Sequence, residues 1–112
     1  MKIVQEFRVM YSEALTYGFA ALGKQLANVV SDYLARKYNL TPVETYKNPK
    51  LIYEALEKSL GFGSIIVETR IIKSLYSQLS LPMEGQLRIR MGHPEDFEKY
   101  VFELQEKLQG SS

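Results

Sequence analysis

The chain has 112 residues, 46% of them apolar and 24% charged, with a formal charge of +1. That is the composition of one folded domain able to bury a core, and it excludes both a disordered chain and a second domain of ordinary size. Cysteine is absent, which removes disulfides, thiolate metal sites and a cysteine nucleophile from consideration.

Charge is spread mildly: residues 1–81 hold ten Lys/Arg against seven Asp/Glu, and residues 82–112 hold four against six. Neither a basic arm nor an acidic tail is indicated. The opening segment mixes charges with apolar residues and no window reaches a spanning length, so the expectation is a cytoplasmic protein with no membrane contact. Residues 1–109 are expected to form a single helical domain and Gly110, Ser111 and Ser112 a flexible tail.

Taken in chain order, Ile3, Gln5 and Phe7 alternate with Val4, Glu6 and Arg8, which predicts a short strand over residues 3–9. Ser12 is a candidate helix start. Leu15, Phe19, Leu22, Leu26, Val29, Val30, Tyr33 and Leu34 follow at steps of mostly three and four, predicting one long first helix as the central element. Arg36-Lys37 and Asn39 have the character of its C-terminal turn, and Pro42 forbids continuation. Asn48-Pro49 opens a second helix with Leu51, Ile52, Ala55, Leu56, Ser59 and Leu60 on its apolar face, stopped at Gly61. In the turn Gly61-Phe62-Gly63-Ser64, either glycine can take positive φ and Ser64 can cap a third helix over about residues 65–79.

Residues 86–91 alternate cleanly, with Leu87, Ile89 and Met91 on one face and Arg88 and Arg90 on the other, predicting a second strand. Two short strands would pair with each other or with a second copy, which makes a homodimer an expectation. His93-Pro94-Glu95-Asp96 then opens a last helix carrying Phe97, Tyr100, Val101, Leu104 and Leu108. The fold class expected is mainly α, about four helices with two short β-strands.

Chemistry-bearing residues are few. His93 is the only histidine and fits a helix start; with no second histidine and no cysteine, the common zinc, copper and nucleophile-base sites cannot be assembled, and no metal, cofactor or catalytic residue is predicted. Gly61-Phe62-Gly63-Ser64 follows a helix and lacks the Gly-Lys-Ser/Thr of a phosphate loop, so it reads as a turn. Glu68 lies on the apolar stripe of the third helix, three residues after Ile65 and four before Ile72. A buried carboxyl there needs a partner, with Lys24, Arg8 or a tyrosine hydroxyl available, or else it belongs to a ligand pocket together with Tyr33 and Tyr76.

Arg88 and Arg90, with Arg70 and Lys73 on the third helix, can form a basic surface. Helix, tight turn, helix and β-ribbon is also the order of a winged helix. The third helix, however, is more than half apolar and offers few side chains for base edges. DNA binding is therefore an alternative, and a small-ligand sensor a second.

Leu22-Gly23, the helix ending in Tyr33-Leu34 and Lys37-Tyr38, Asn48-Pro49, the run EALEKSLGFGS at residues 54–64 and ETRIIKSLY at residues 68–76 together cover about residues 12–81. In this order they resemble the small helical Nitrosopumilus-type output domains of archaeal signalling proteins. The resemblance implies an archaeal helical module that passes a signal through protein contacts, and it brings no catalytic residues. The function expected is thus a non-catalytic regulatory or signalling module whose partner is another protein or a second copy.

Overall fold

A computed structural model describes residues 2–83 and 85–110. Its described residues form five α-helices: α1 (Lys2–Phe19), α2 (Gln25–Tyr38), α3 (Lys50–Leu60), α4 (Ser64–Gln78) and α5 (Pro94–Gly110). Short 3-10 turns occupy Ala20–Leu22, Pro42–Lys47 and Gly61–Gly63, and among the described residues there is no strand. The fold is all-α, with one helix more than expected.

The expected strand at residues 3–9 is the beginning of α1. Phe7, Tyr11, Ala14, Leu15 and Phe19 are all buried, a spacing of three and four that overrides the brief alternation before it. Ser12 is accordingly an interior helix residue, whose carbonyl accepts the Thr16 hydroxyl at 3.1 Å, and not a helix start.

The expected long first helix is broken. Gly23 has φ +97° and ψ 171°, a conformation open to glycine and strained for any other residue. It divides the apolar stripe between α1, which packs along α4, and α2, which packs on α3.

The far end of α2 matches expectation: Asn39 is left-handed at φ 56°, and its N–H reaches the Ala35 and Leu34 carbonyls. The turn after it holds a 3-10 segment that buries Thr45 and Tyr46. There the Glu44 carboxylate accepts the Thr41 N–H at 2.9 Å and the Thr41 hydroxyl at 2.8 Å, and both bonds hold its pKa below the usual carboxylate value. Tyr46 completes an aromatic cluster with Phe7 and Tyr11, ring centroids 6.3–6.4 Å apart.

α3 and α4 begin and end within a residue or two of the expected positions. Gly61 supplies the positive φ of +57° between them. Ser64 makes no cap; its hydroxyl points to the Met91 sulfur at 3.7 Å.

The expected strand at 86–91 is an extended segment without a partner strand. Its alternation is real: Ile89 is buried, Leu87 and Met91 are half-buried, and Arg88 and Arg90 are exposed. Helix side chains take the place of a ladder. Arg88 N–H donates to the Tyr100 hydroxyl at 3.0 Å, Arg90 N–H to Asp96 at 3.0 Å and Gly92 N–H to Glu57 at 3.2 Å. The pairing of two strands, and with it the reason for expecting a homodimer, is therefore removed. Gly110 ends α5, while Ser111 and Ser112 of the expected tail lie outside the described residues.

Candidate functional site

α4 lies antiparallel to α1. The Met10 carbonyl accepts Gln78 Nε2 at 2.9 Å, and the Tyr17 carbonyl accepts Arg70 Nη2 at 2.9 Å and Nε at 3.1 Å. This register turns Val67 and Ile71 toward Gly18 of α1. Ser64 and Glu68, one helical turn apart, occupy the side toward α3 and the segment before α5, as Ser64's contact with Met91 shows.

Glu68 is fully buried and neither carboxyl oxygen has a hydrogen-bond partner among the described residues. Neither Lys24, nor Arg8, nor a tyrosine hydroxyl bonds it, contrary to expectation. Burial, and secondarily the Glu57 carboxylate, push it from the ordinary 4.5 up to about 9, so it is a neutral acid at pH 7. An enclosed polar group left unpaired costs about 1–3 kcal/mol.

Tyr53 and Glu57, one turn apart on α3, are the groups that feel this carboxyl. Both also hold residues 90–93. The Tyr53 hydroxyl donates to the Arg90 carbonyl at 2.7 Å and accepts the His93 N–H at 3.2 Å, and Glu57 accepts the Gly92 N–H. His93 itself is at the start of α5 as expected; its carbonyl accepts the Asp96 N–H at 3.1 Å and its Nδ1 lies 3.0 Å from Glu95.

Tyr33 and Tyr76 are not brought to Glu68. Tyr33, Tyr38 and Lys37 converge on one oxygen of Glu54 at 2.6, 2.7 and 3.0 Å. Burial alone would raise Glu54, but those three donors outweigh it and bring it down to about 2. The cluster fastens α2 to α3. Tyr76 faces α5, where burial, then Glu103 and Tyr100, raise its hydroxyl. Among the described residues the three ligand candidates lie apart, Tyr33 on Glu54 and Tyr76 toward α5.

The four basic candidates also separate. Arg70 stacks its guanidinium 3.9 Å from the Tyr17 ring centroid while capping that residue's carbonyl. Lys73 lines a hollow with Tyr17, Ser74, Ser77 and Gln78. Arg90 grips Asp96 through Nε at 2.8 Å and Nη2 at 3.0 Å, which draws Asp96 down to about 2. Arg88 and Arg90 line a different hollow with Lys99, Tyr100 and Glu103. The β-ribbon of a winged helix is missing among the described residues.

A feature not foreseen lies at one end of the bundle. The α1–α4 register sets the end of α1 beside the start of α4. Val29 shares a hollow with Lys58 and Ser59, which sets the start of α2 beside the end of α3. The elbows at residues 20–24 and 61–63 therefore meet at the same end, and Phe62 is 83% exposed there, Ile66 54%, Val29 49% and Leu22 45%. A hollow of about 510 Å³ lined by Thr16, Phe19, Ala20, Gly23, Lys24 and Ala27 adjoins the first elbow. From Ala14 to Ser31 and from Lys58 to Met83 the only acid is the enclosed Glu68, whereas Lys24, Lys58 and Lys73 are exposed. Lys24 and Lys58 flank this apolar end, and Asp32 shares the hollow of Val29 and Lys58.

Leu22 and Val29 share helical spacing with buried neighbours, as a core residue would. Their exposure depends on the break at Gly23 and on how two elbows meet, neither of which periodicity records.

Among the described residues no helix is long and apolar enough to cross a membrane, and no three His, Asp or Glu side chains gather as a metal-holding group. Searches against protein-family models, curated proteins and solved structures find no match to this chain.

Proposed function

We propose that this chain is a non-catalytic regulatory or signalling module that docks an acidic, amphipathic segment of a protein partner on its exposed apolar end. The observation that carries the reading is the gathering of Phe62, Ile66, Val29 and Leu22 at one end of the bundle, with Lys24 and Lys58 beside the two elbows and Asp32 at the Val29 edge. Large exposed apolar side chains with a charged rim are the usual anatomy of a protein-binding patch. The lysines at the two elbows, Lys24 and Lys58, favour a partner of opposite charge.

Other features support the absence of turnover. Glu68 is shut away from solvent, Glu54 is saturated by two tyrosines and a lysine, and Asp96 is held by Arg90. In this reading the similarity to archaeal output domains describes a contact-driven role in the cytoplasm. The DNA-binding alternative has less support, since Arg70 and Arg90 are engaged within the fold and line separate surfaces. The ligand-sensor alternative has lost its shared pocket.

The test is selection of binders from a random peptide library, followed by titration of the selected peptides. Peptides combining Asp/Glu with Leu or Phe at helical spacing are expected, with affinity at least tenfold weaker for Phe62→Asp. Binders that ignore Phe62→Asp, or none at all, would dispose of the apolar end. Light scattering on the same samples separates a second occupant: a dimer that Phe62→Asp dissolves would assign this end to another copy of the chain.

A further inference from the structure

We infer that residues 87–93 form a latch over Glu68, closed while that carboxyl is neutral and opened when it ionises. The proposal is independent of what binds the apolar end. Three side chains around Glu68 hold this segment: Ser64, one turn before it on α4, through Met91; Tyr53 through Arg90 and His93; and Glu57 through Gly92. The segment is outside any helix, and the N–H groups of Arg88, Arg90, Gly92 and His93 all donate to side chains, His93 also to the Arg90 carbonyl within the segment itself. Such a segment can lift away without breaking a backbone ladder, so it opens more easily than the helices beneath it.

The groups facing Glu68 give a negative charge no relief. α3 presents Tyr53 and Glu57. The segment itself brings Arg90, whose guanidinium is exposed and paired with Asp96 of α5, and His93, whose ring is turned to Glu95. On α1 the buried titratable group is Tyr11, committed to Thr45 at 2.8 Å. The buried face of α5, Phe97, Val101 and Leu104, carries no charge. The elbows at Ala20–Leu22 and Gly61–Gly63 carry none either. Once ionised, Glu68 faces a second carboxylate and, among the described residues, no cation; water is the available partner, and of the elements held around it the latch is the one outside any helix.

The sign follows from linkage. The closed form holds Glu68 at about 9, and an opened form returns it toward 4.5, so opening gains up to tenfold per pH unit between those values. Opening lets the latch move; it also uncovers Tyr53 and Glu57 beside a fresh carboxylate.

Hydrogen exchange of the whole protein from pH 5.5 to 8.5, corrected for intrinsic rates, tests this. Protection of residues 87–93 is expected to fall by up to tenfold per pH unit while remaining at least a hundredfold below that of α1 and α4. In Glu68→Gln the slope should vanish, and in Tyr53→Phe protection of the latch should drop at every pH with the slope retained. A pH-independent latch in the unmodified protein would overturn the proposal without any variant. So would equal protection of the latch and the two helices, because Glu68 would then be uncovered only by global unfolding.

Discussion

Gly18 of α1 and Ile71 of α4 leave no room for a side chain between them: a Cβ at position 18 would stand 2.6 Å from Ile71 Cγ1 and 3.0 Å from the Val67 carbonyl oxygen. α1 packs along α4 more extensively than any other pair of elements, and the close approach of their backbones at Gly18 is what seats Arg70 on the Tyr17 carbonyl. Gly18→Ala gains about 1 kcal/mol in helix propensity but forces the helices apart, at about 1–3 kcal/mol for an overpacked contact. A net loss of up to about 2 kcal/mol is expected in urea denaturation. A midpoint that stays or rises would mean the two helices separate freely here.

This contact illustrates what a sequence can and cannot disclose. The punctuation at Asn39, Pro49, Gly61 and Pro94 placed helix ends within a residue or two, because caps and breakers act through local backbone geometry. Thr41 and Glu44, a capping pair three residues apart, are legible by the same logic. Gly18, by contrast, looks like any interior glycine until α4 is laid against it. The burial of Glu68 followed from its place on the apolar stripe; its lack of a partner did not, since the groups set near it, Tyr53 and Glu57, come from another helix and neither bonds it. Residues 87–91 mislead for a physical reason: an extended segment between helices alternates in burial as a strand does, whatever satisfies its N–H groups.

Tyr11 and Thr45 form a buried relay. Thr45 donates to the Pro42 carbonyl at 2.6 Å, so the Tyr11 hydroxyl must be the donor to Thr45. Burial raises that hydroxyl far out of the titrating range, and the Thr45 bond only partly offsets it. Tyr11→Phe removes one bond and should lower stability by about 1 kcal/mol. Thr45→Val is expected to cost more, about 1–3 kcal/mol, by leaving the phenol enclosed without an acceptor. The double variant should fall short of the sum of the two, because both remove the same interaction. Additive losses would show that the hydroxyls do not act as a pair.

The acid limb of the stability curve belongs chiefly to Glu54 and Asp96, with smaller parts from Glu44 and Glu95. The first two are held near 2 in the folded protein, Glu54 by Tyr33, Tyr38 and Lys37 against the opposing effect of burial, and Asp96 by Arg90. Depressed groups stabilise the fold fully above their unfolded values and lose that contribution as pH falls through the folded ones. Stability is expected to decline from about pH 4.5 toward pH 2, and Glu54→Gln combined with Asp96→Asn should flatten the decline. An unchanged acid limb in that variant would place the titration on other carboxylates.

Glu68 shapes the other limb with the opposite sign. Its folded value of about 9 lies above the unfolded 4.5, so its contribution is fully present below about pH 4.5 and is lost as pH rises toward 9. Together with Glu54 and Asp96, this sets maximum stability in mildly acidic solution, near pH 4–5, below the range of about pH 5–8 usual for folded proteins. Glu68→Met fills a similar volume without a polar atom to desolvate. It should raise stability at pH 8 by at least about 1–3 kcal/mol, the cost of an unpaired enclosed polar group, and move the maximum toward neutrality. The measurement is guanidinium denaturation of both proteins at pH 5, 6.5 and 8, where the difference between them should widen as pH rises. A constant difference would mean that Glu68 keeps one protonation state across the range. A less stable Met variant at pH 8 would show that the carboxyl is satisfied by a contact the enclosed site conceals, and the latch would lose its trigger.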